Sequence, residues 1–125
     1  MSAAVRILRD APLRQRNTFG VAAYAPLLAE VADPAALPEL LARPGFRGRP
    51  LLLLGGGSNL LFVGDVEHPV IALSRREVTV VTQAGGGSDA TIVRADAGVS
   101  WHELAHLHAV GADVLDRRCA NRPGD

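Results

Sequence analysis

The stretch Leu51-Leu52-Leu53-Leu54-Gly55-Gly56-Gly57-Ser58-Asn59-Leu60-Leu61-Phe62 decides the fold. Four leucines bounded by Pro50 and three glycines predict a short strand buried on both faces, the pattern of a parallel sheet. The glycines then turn the chain. Three in succession can adopt φ > 0 and bring bare backbone N–H groups to one point, a concavity that suits an anion such as phosphate. Ser58 and Asn59 add side-chain donors. Spacing excludes two other phosphate loops. A P-loop ends in Gly-Lys-Ser/Thr and this chain has no lysine, while a Rossmann fingerprint needs a glycine at position 60, where Leu60 stands. The run Leu60-Leu61-Phe62-Val63 stops at Gly64-Asp65, so no long helix is expected to start at the loop. On these residues alone, a phosphate loop and a plain turn between strands fit equally.

Upstream, residues 27–32 read as a first strand. Asp33-Pro34 is a helix start, with Asp as N-cap and Pro at the first helical position, and Pro44-Gly45 ends that helix beyond about residue 42. Strand, helix and leucine strand make a βαβ unit with an expected right-handed crossover. Residues 1–20 are polar and read as an irregular N-terminal extension. Downstream, 70–73 is another short strand, and 78–83 and 91–97 read as a hairpin around Gly85-Gly86-Gly87, a cluster better suited to a hairpin tip than to a ligand. Ser100 and Glu103 form a capping box for a helix with Trp101, Leu104, Ala105, His108 and Ala112 on the face expected to pack onto the sheet. Gly111 is its natural stop.

The chain has 125 residues, 48% of them hydrophobic, enough for one domain or part of one. Thirteen arginines balance thirteen acidic residues, so charge gives no sign of a nucleic-acid or membrane-surface partner. The single cysteine, Cys119, forms no internal disulfide and is compatible with a reducing cytosol. Arginines and Asp10 interrupt any N-terminal apolar run, and no stretch approaches the ~20 apolar residues of a membrane span, so a cytoplasmic protein is expected.

His102-Glu103-Leu104-Ala105-His106 matches the H-E-x-x-H pattern of zinc peptidases. The pattern lacks a third ligand. Ala109 stands where the metzincin continuation needs glycine, His108 is misplaced, and no Glu follows Glu103. Both histidines also lie off the Trp101 face, as expected of a wet surface pair, so no metal site is assigned.

Three segments occur in one order: Asn17-Thr18-Phe19-Gly20, the 54–62 loop, and Ala97-Gly98 followed by Trp101-His102. Together they make 13–111 resemble the UDP-N-acetylenolpyruvoylglucosamine reductases, flavoenzymes of peptidoglycan synthesis also called UDP-N-acetylmuramate dehydrogenases. The resemblance implies an α+β fold, the N-terminal part of an FAD-binding domain of the vanillyl-alcohol-oxidase type (PCMH-type), with 21–111 as a partial domain. It implies FAD as cofactor, its pyrophosphate lined by Gly55, Gly57, Ser58 and Asn59, with Gly56 and Leu60 contributing backbone. It also implies NADPH as reductant and a UDP-sugar enolpyruvate as substrate of the complete enzyme. A fragment of another flavin oxidase of the same fold, or a non-enzymatic nucleotide-binding fragment, are the alternatives.

The chain departs from the family after the Trp101 helix. The family's Gly-Leu-Glu-Asn-Leu and Ile-Pro-Gly segments are replaced by Ala112-Asp113-Val114-Leu115-Asp116 and an arginine-rich end. Residues 112–125 are therefore expected to be a divergent, disordered tail, with a composition like that of a shifted GC-rich reading frame. The family's proton-donating serine and its substrate arginine and glutamate have no counterpart here, so no catalytic residue is carried over and the chain alone is expected to be inactive.

Overall fold

The structure is a computed structural model, and it describes residues 4–81 and 92–110. The chain divides into two compact units, Met1–Arg75 and Arg76–Asp125. In the first, four strands form one mixed sheet: β1 (Val5–Pro12), β2 (Tyr24–Val31), β3 (Leu52–Leu54) and β4 (Val70–Leu73), in the spatial order β1-β2-β4-β3. β1 runs antiparallel to β2, whereas β4 is parallel to both β2 and β3. This is an α+β arrangement, as expected. The N-terminal segment differs from its irregular reading. β1 pairs along β2 from Val5 opposite Val31 to Pro12 opposite Tyr24, although Arg6, Arg9 and Asp10 break the apolar pattern that would have announced a strand. An outer strand with one neighbour tolerates such charges and gains solubility from them.

The leucine strand is parallel, as its composition predicts, but it lies at the sheet edge. Leu54 is buried while Leu53 is 67% exposed, which corrects the expectation of burial on both faces. The central position belongs to β4, which enters between β2 and β3. The βαβ crossover therefore skips over one strand. Its helical part starts as predicted: the Asp33 carboxylate accepts from the Ala35 N–H at 3.0 Å, a 3₁₀ turn follows at Pro34–Ala36, and α1 (Leu37–Ala42) completes it.

Strand alternation sorts the side chains onto two faces. Leu28, Leu54 and Val70 join Ala11, Leu13, Ala23, Ala25 and Phe62 on one side, so the segments 13–23 and 60–66 cover that face. Ala29, Val31 and Ile71 meet Leu40 and Phe46 on the other, where α1 lies. Each fully buried leucine here contributes about 1.5–3 kcal/mol of transfer free energy.

In the second unit, β5 (Val78–Val81) and β6 (Ile92–Ala95) form the predicted antiparallel pair. The glycine cluster at 85–87 lies outside the described residues. α2 (Trp101–Val110) carries the predicted capping box: the Glu103 N–H donates to Ser100 Oγ at 3.1 Å and the Ser100 N–H donates to Glu103 Oε2 at 3.1 Å. Trp101 differs from expectation, because its side chain is 85% exposed. The expected contributions of His108 and Ala112 to that face, the stop at Gly111 and the tail 112–125 lie outside the described side chains or residues.

Candidate functional site

Three parallel strands, β2, β4 and β3, end on the same side of the first sheet, and the Gly55–Asn59 turn leaves the C-terminal end of β3 there. Pairing sets the level: Glu30 is the partner of Ala72, which is the partner of Leu54, the residue before Gly55. Ligands of open sheets with parallel strands gather at such carboxyl ends. Position alone does not make a site, and the backbone of the turn supplies the rest.

Of the three glycines that can adopt φ > 0, only Gly57 does so, at +71°. Gly57 is also buried, whereas Gly55, Gly56, Ser58 and Asn59 are exposed and Leu60 is half-buried against the core. A Cβ at Gly57 would stand 2.0 Å from the Arg16 carbonyl oxygen and 2.7 Å from Asn17 Cα. Built at Gly55 or Gly56, it would meet nothing within 4 Å. The triplet thus has two roles: one glycine lets two backbones touch, and the other two leave an open approach to the main chain.

The backbone that touches Gly57 belongs to the turn Asn17-Thr18-Phe19-Gly20. The Gly20 N–H donates to the Asn17 carbonyl at 3.2 Å, and Gly20 closes the turn at φ +65°. Asn17 is buried and fully used. Its Nδ2 donates to the carbonyls of Leu13 (2.8 Å) and Val21 (3.1 Å), and its Oδ1 accepts the Val21 N–H (3.0 Å). The Thr18 N–H then donates to the Gly57 carbonyl at 3.1 Å, joining the two turns. Beside them, the Arg16 guanidinium pairs with Glu30, which Arg6 also approaches at 3.7 Å. In sequence, Asn17 to Gly20 stands out as a motif with no assigned task. The signal was present, since Asn with Gly three residues later marks a turn whose side chain bonds its own backbone.

Among the described residues, the N–H groups of Gly56, Gly57, Ser58 and Asn59 donate to no other protein group. Successive free amides around a left-handed residue form a nest for an anion. The donor set and the open space above Gly55 and Gly56 therefore fit a phosphate or diphosphate. All six residues singled out from sequence, Gly55 to Leu60, fall on this one turn.

The H-E-x-x-H pair does not assemble in this way. His102 and His106 are exposed, as expected, with ring centroids 6.4 Å apart. Among the described residues, no group of three or more His, Cys, Asp or Glu could hold a metal ion.

No family model matches the chain. Over 95 residues it is 46% identical to the UDP-N-acetylenolpyruvoylglucosamine reductase of Xylella fastidiosa strain M12, an alignment covering 76% of this chain and 26% of that protein. The reductases of the same name from Xanthomonas campestris pv. campestris strain 8004 and Xanthomonas axonopodis pv. citri strain 306 are 44% and 46% identical over 99 residues, covering 79% of this chain and 27% of each relative. The chain thus spans about a quarter of the length of the curated relatives it matches. The relatives it matches are named as reductases, which are enzymes of the oxidoreductase class. Over that quarter the chain is similar to the UDP-N-acetylenolpyruvoylglucosamine reductases.

Proposed function

We propose that the turn from Gly55 to Leu60 holds the pyrophosphate of FAD, and that the chain is the cofactor-binding portion of a vanillyl-alcohol-oxidase-type (PCMH-type) flavin domain. The observation that carries this reading is the run of free amides from Gly56 to Asn59 at the carboxyl end of a parallel strand, in a chain homologous to a reductase family. In that role Gly56, Gly57, Ser58 and Asn59 would donate backbone N–H bonds, Ser58 and Asn59 would add side-chain donors, and Gly55 and Leu60 would border the nest. Gly55 would leave room for the phosphate, and Leu60 would anchor the turn to the core.

The complete enzyme, in this proposal, reduces UDP-N-acetylglucosamine enolpyruvate to UDP-N-acetylmuramate in cytoplasmic peptidoglycan synthesis. Bound flavin supplies the two-electron carrier between NADPH and the enolpyruvyl double bond. The residues of this chain bind and orient that carrier. In this reading proton donation and substrate binding fall to the part of the relatives that these residues do not match, and these residues by themselves are expected to turn over no substrate. Among the described residues no helix is long and apolar enough to cross a membrane.

The test is reconstitution of the 125-residue chain with FAD. A yellow protein that bleaches with dithionite, and loses its flavin in Gly57→Val, supports the site. A wild-type chain that retains no flavin after refolding with FAD would end the cofactor proposal for this chain. Turnover of the enolpyruvyl substrate by the chain alone would overturn the claim of inactivity.

A further inference from the structure

The structure assigns a task to the turn Asn17-Thr18-Phe19-Gly20: it is a positioning clasp that aims the free amides of the glycine turn outward. The inference rests on the phosphate-binding reading of the glycine turn and adds residues 35 or more positions before it in the chain. A peptide unit is planar and trans, so a carbonyl and the N–H of the next residue point in opposite directions. The Gly57 carbonyl is drawn toward the 17–20 turn by the Thr18 N–H at 3.1 Å. The N–H of Ser58, in the same peptide plane, must therefore point away from that turn. Ser58 is exposed, so this direction is the open one.

The clasp itself is fixed from behind. Asn17 is the one buried polar residue among those described, and its three hydrogen bonds to Leu13 and Val21 hold both limbs of its loop. Leu13 is fully buried in the core next to Leu28 and Leu54. The close fit of Gly57 against the Arg16 carbonyl leaves no slack for the turn to rotate, because a single added carbon would stand 2.0 Å from that oxygen. Asn17 and Thr18 touch no ligand in this arrangement. They act through Gly57, and are positioning residues.

The clasp can be removed with one atom's chemistry. Thr18 follows Asn17, whose φ of −138° and ψ of 145° are the extended values that a following proline requires. Thr18 is also the second residue of a four-residue turn, the position proline favours. Thr18→Pro therefore deletes the N–H that holds Gly57 and sets the ring Cδ against the Gly57 carbonyl oxygen in its place, so the glycine turn must move while the 17–20 turn keeps its own shape. One hydrogen bond corresponds to about fivefold to tenfold in a binding constant. Thr18→Pro in the full chain is expected to weaken FAD by at least that factor, read by flavin fluorescence, with circular dichroism showing that the chain remains folded. Its ¹H–¹⁵N spectrum is expected to show Gly57, Ser58 and Asn59 amides shifted while the β2 and β4 amides stay in place. Asn17→Ala, which frees the whole turn, is expected to shift the same amides and to weaken FAD at least as much.

Thr18→Pro that binds FAD as tightly as the wild type, with the Ser58 and Asn59 amides unmoved, would overturn the clasp. A wild-type chain that binds neither FAD nor inorganic pyrophosphate would instead overturn the phosphate-binding reading. In that case the amide shifts still judge the clasp: displaced Ser58 and Asn59 amides in Thr18→Pro support it, and unmoved ones end it.

Discussion

Two stretches of this chain look like sites in the sequence, and only one of them is built like a site. The glycine turn 55–59 is held by a segment about forty residues away, through a main-chain contact, a hydrogen bond and a buried asparagine. The features described at the H-E-x-x-H segment lie along the one helix α2. Its capping box is complete, and its histidines are one turn apart, but each of these features is local. A spacing written on one element supplies at most two converging groups. Binding needs groups from separate elements, held where a ligand can reach all of them.

The largest test of this contrast is Gly57→Ala. The substitution puts a Cβ against a backbone carbonyl that cannot swing aside, at a residue whose φ is +71°. About 1–2 kcal/mol for the left-handed backbone and about 1–3 for overpacking sum to about 2–5 kcal/mol of lost stability. Chemical denaturation should show that loss in the midpoint, and an unchanged midpoint would mean that the 16–18 segment does not press on Gly57 as the structure has it. No other residue of the glycine turn should approach this cost.

Much of the scaffold behind the turn was legible because its signals are local. Asp33-Pro34, Ser100 with Glu103, and the short apolar runs at 52–54, 70–73 and 78–81 each announce their element within a few residues. What was not legible depends on neighbours. The pairing of β1 with β2 overrides the charges in 6–10, and nothing within Leu51–Leu54 says whether the strand will be central or at an edge. β4 takes the centre because Val70 and Ile71 can be buried on opposite faces between two partners. The division of labour among the three glycines was equally hidden. It is set by the Arg16 carbonyl, which sequence places far from Gly57.

Gly56→Ala sharpens the contrast inside the turn. A methyl there meets nothing within 4 Å and the φ is not in the left-handed region, so stability should change by no more than about 0.5 kcal/mol. FAD affinity should nevertheless fall, since the added carbon occupies the open approach to the amides. Denaturation and flavin titration of the same protein separate the two effects. A variant that loses stability, or one that binds FAD unchanged, would show that Gly56 is not the open side of the nest.

The smallest expected effect is His106→Ala, an exposed residue whose described contact is the His102 ring one turn away. Two imidazoles on one tetrahedral zinc bring their ligating nitrogens to about 3.3 Å of each other, with bonds of about 2.0–2.1 Å to the metal. The His102 and His106 rings lie nearly parallel, 16° between planes, with centroids 6.4 Å apart, and are exposed to water that competes for any ion. No third ligand gathers beside them among the described residues. After dialysis against zinc and then buffer, wild type and variant should carry the same substoichiometric zinc and melt at the same temperature. One tightly held zinc per wild-type chain, lost in His106→Ala, would show that helical spacing alone had been enough, and would erase the difference between the two stretches.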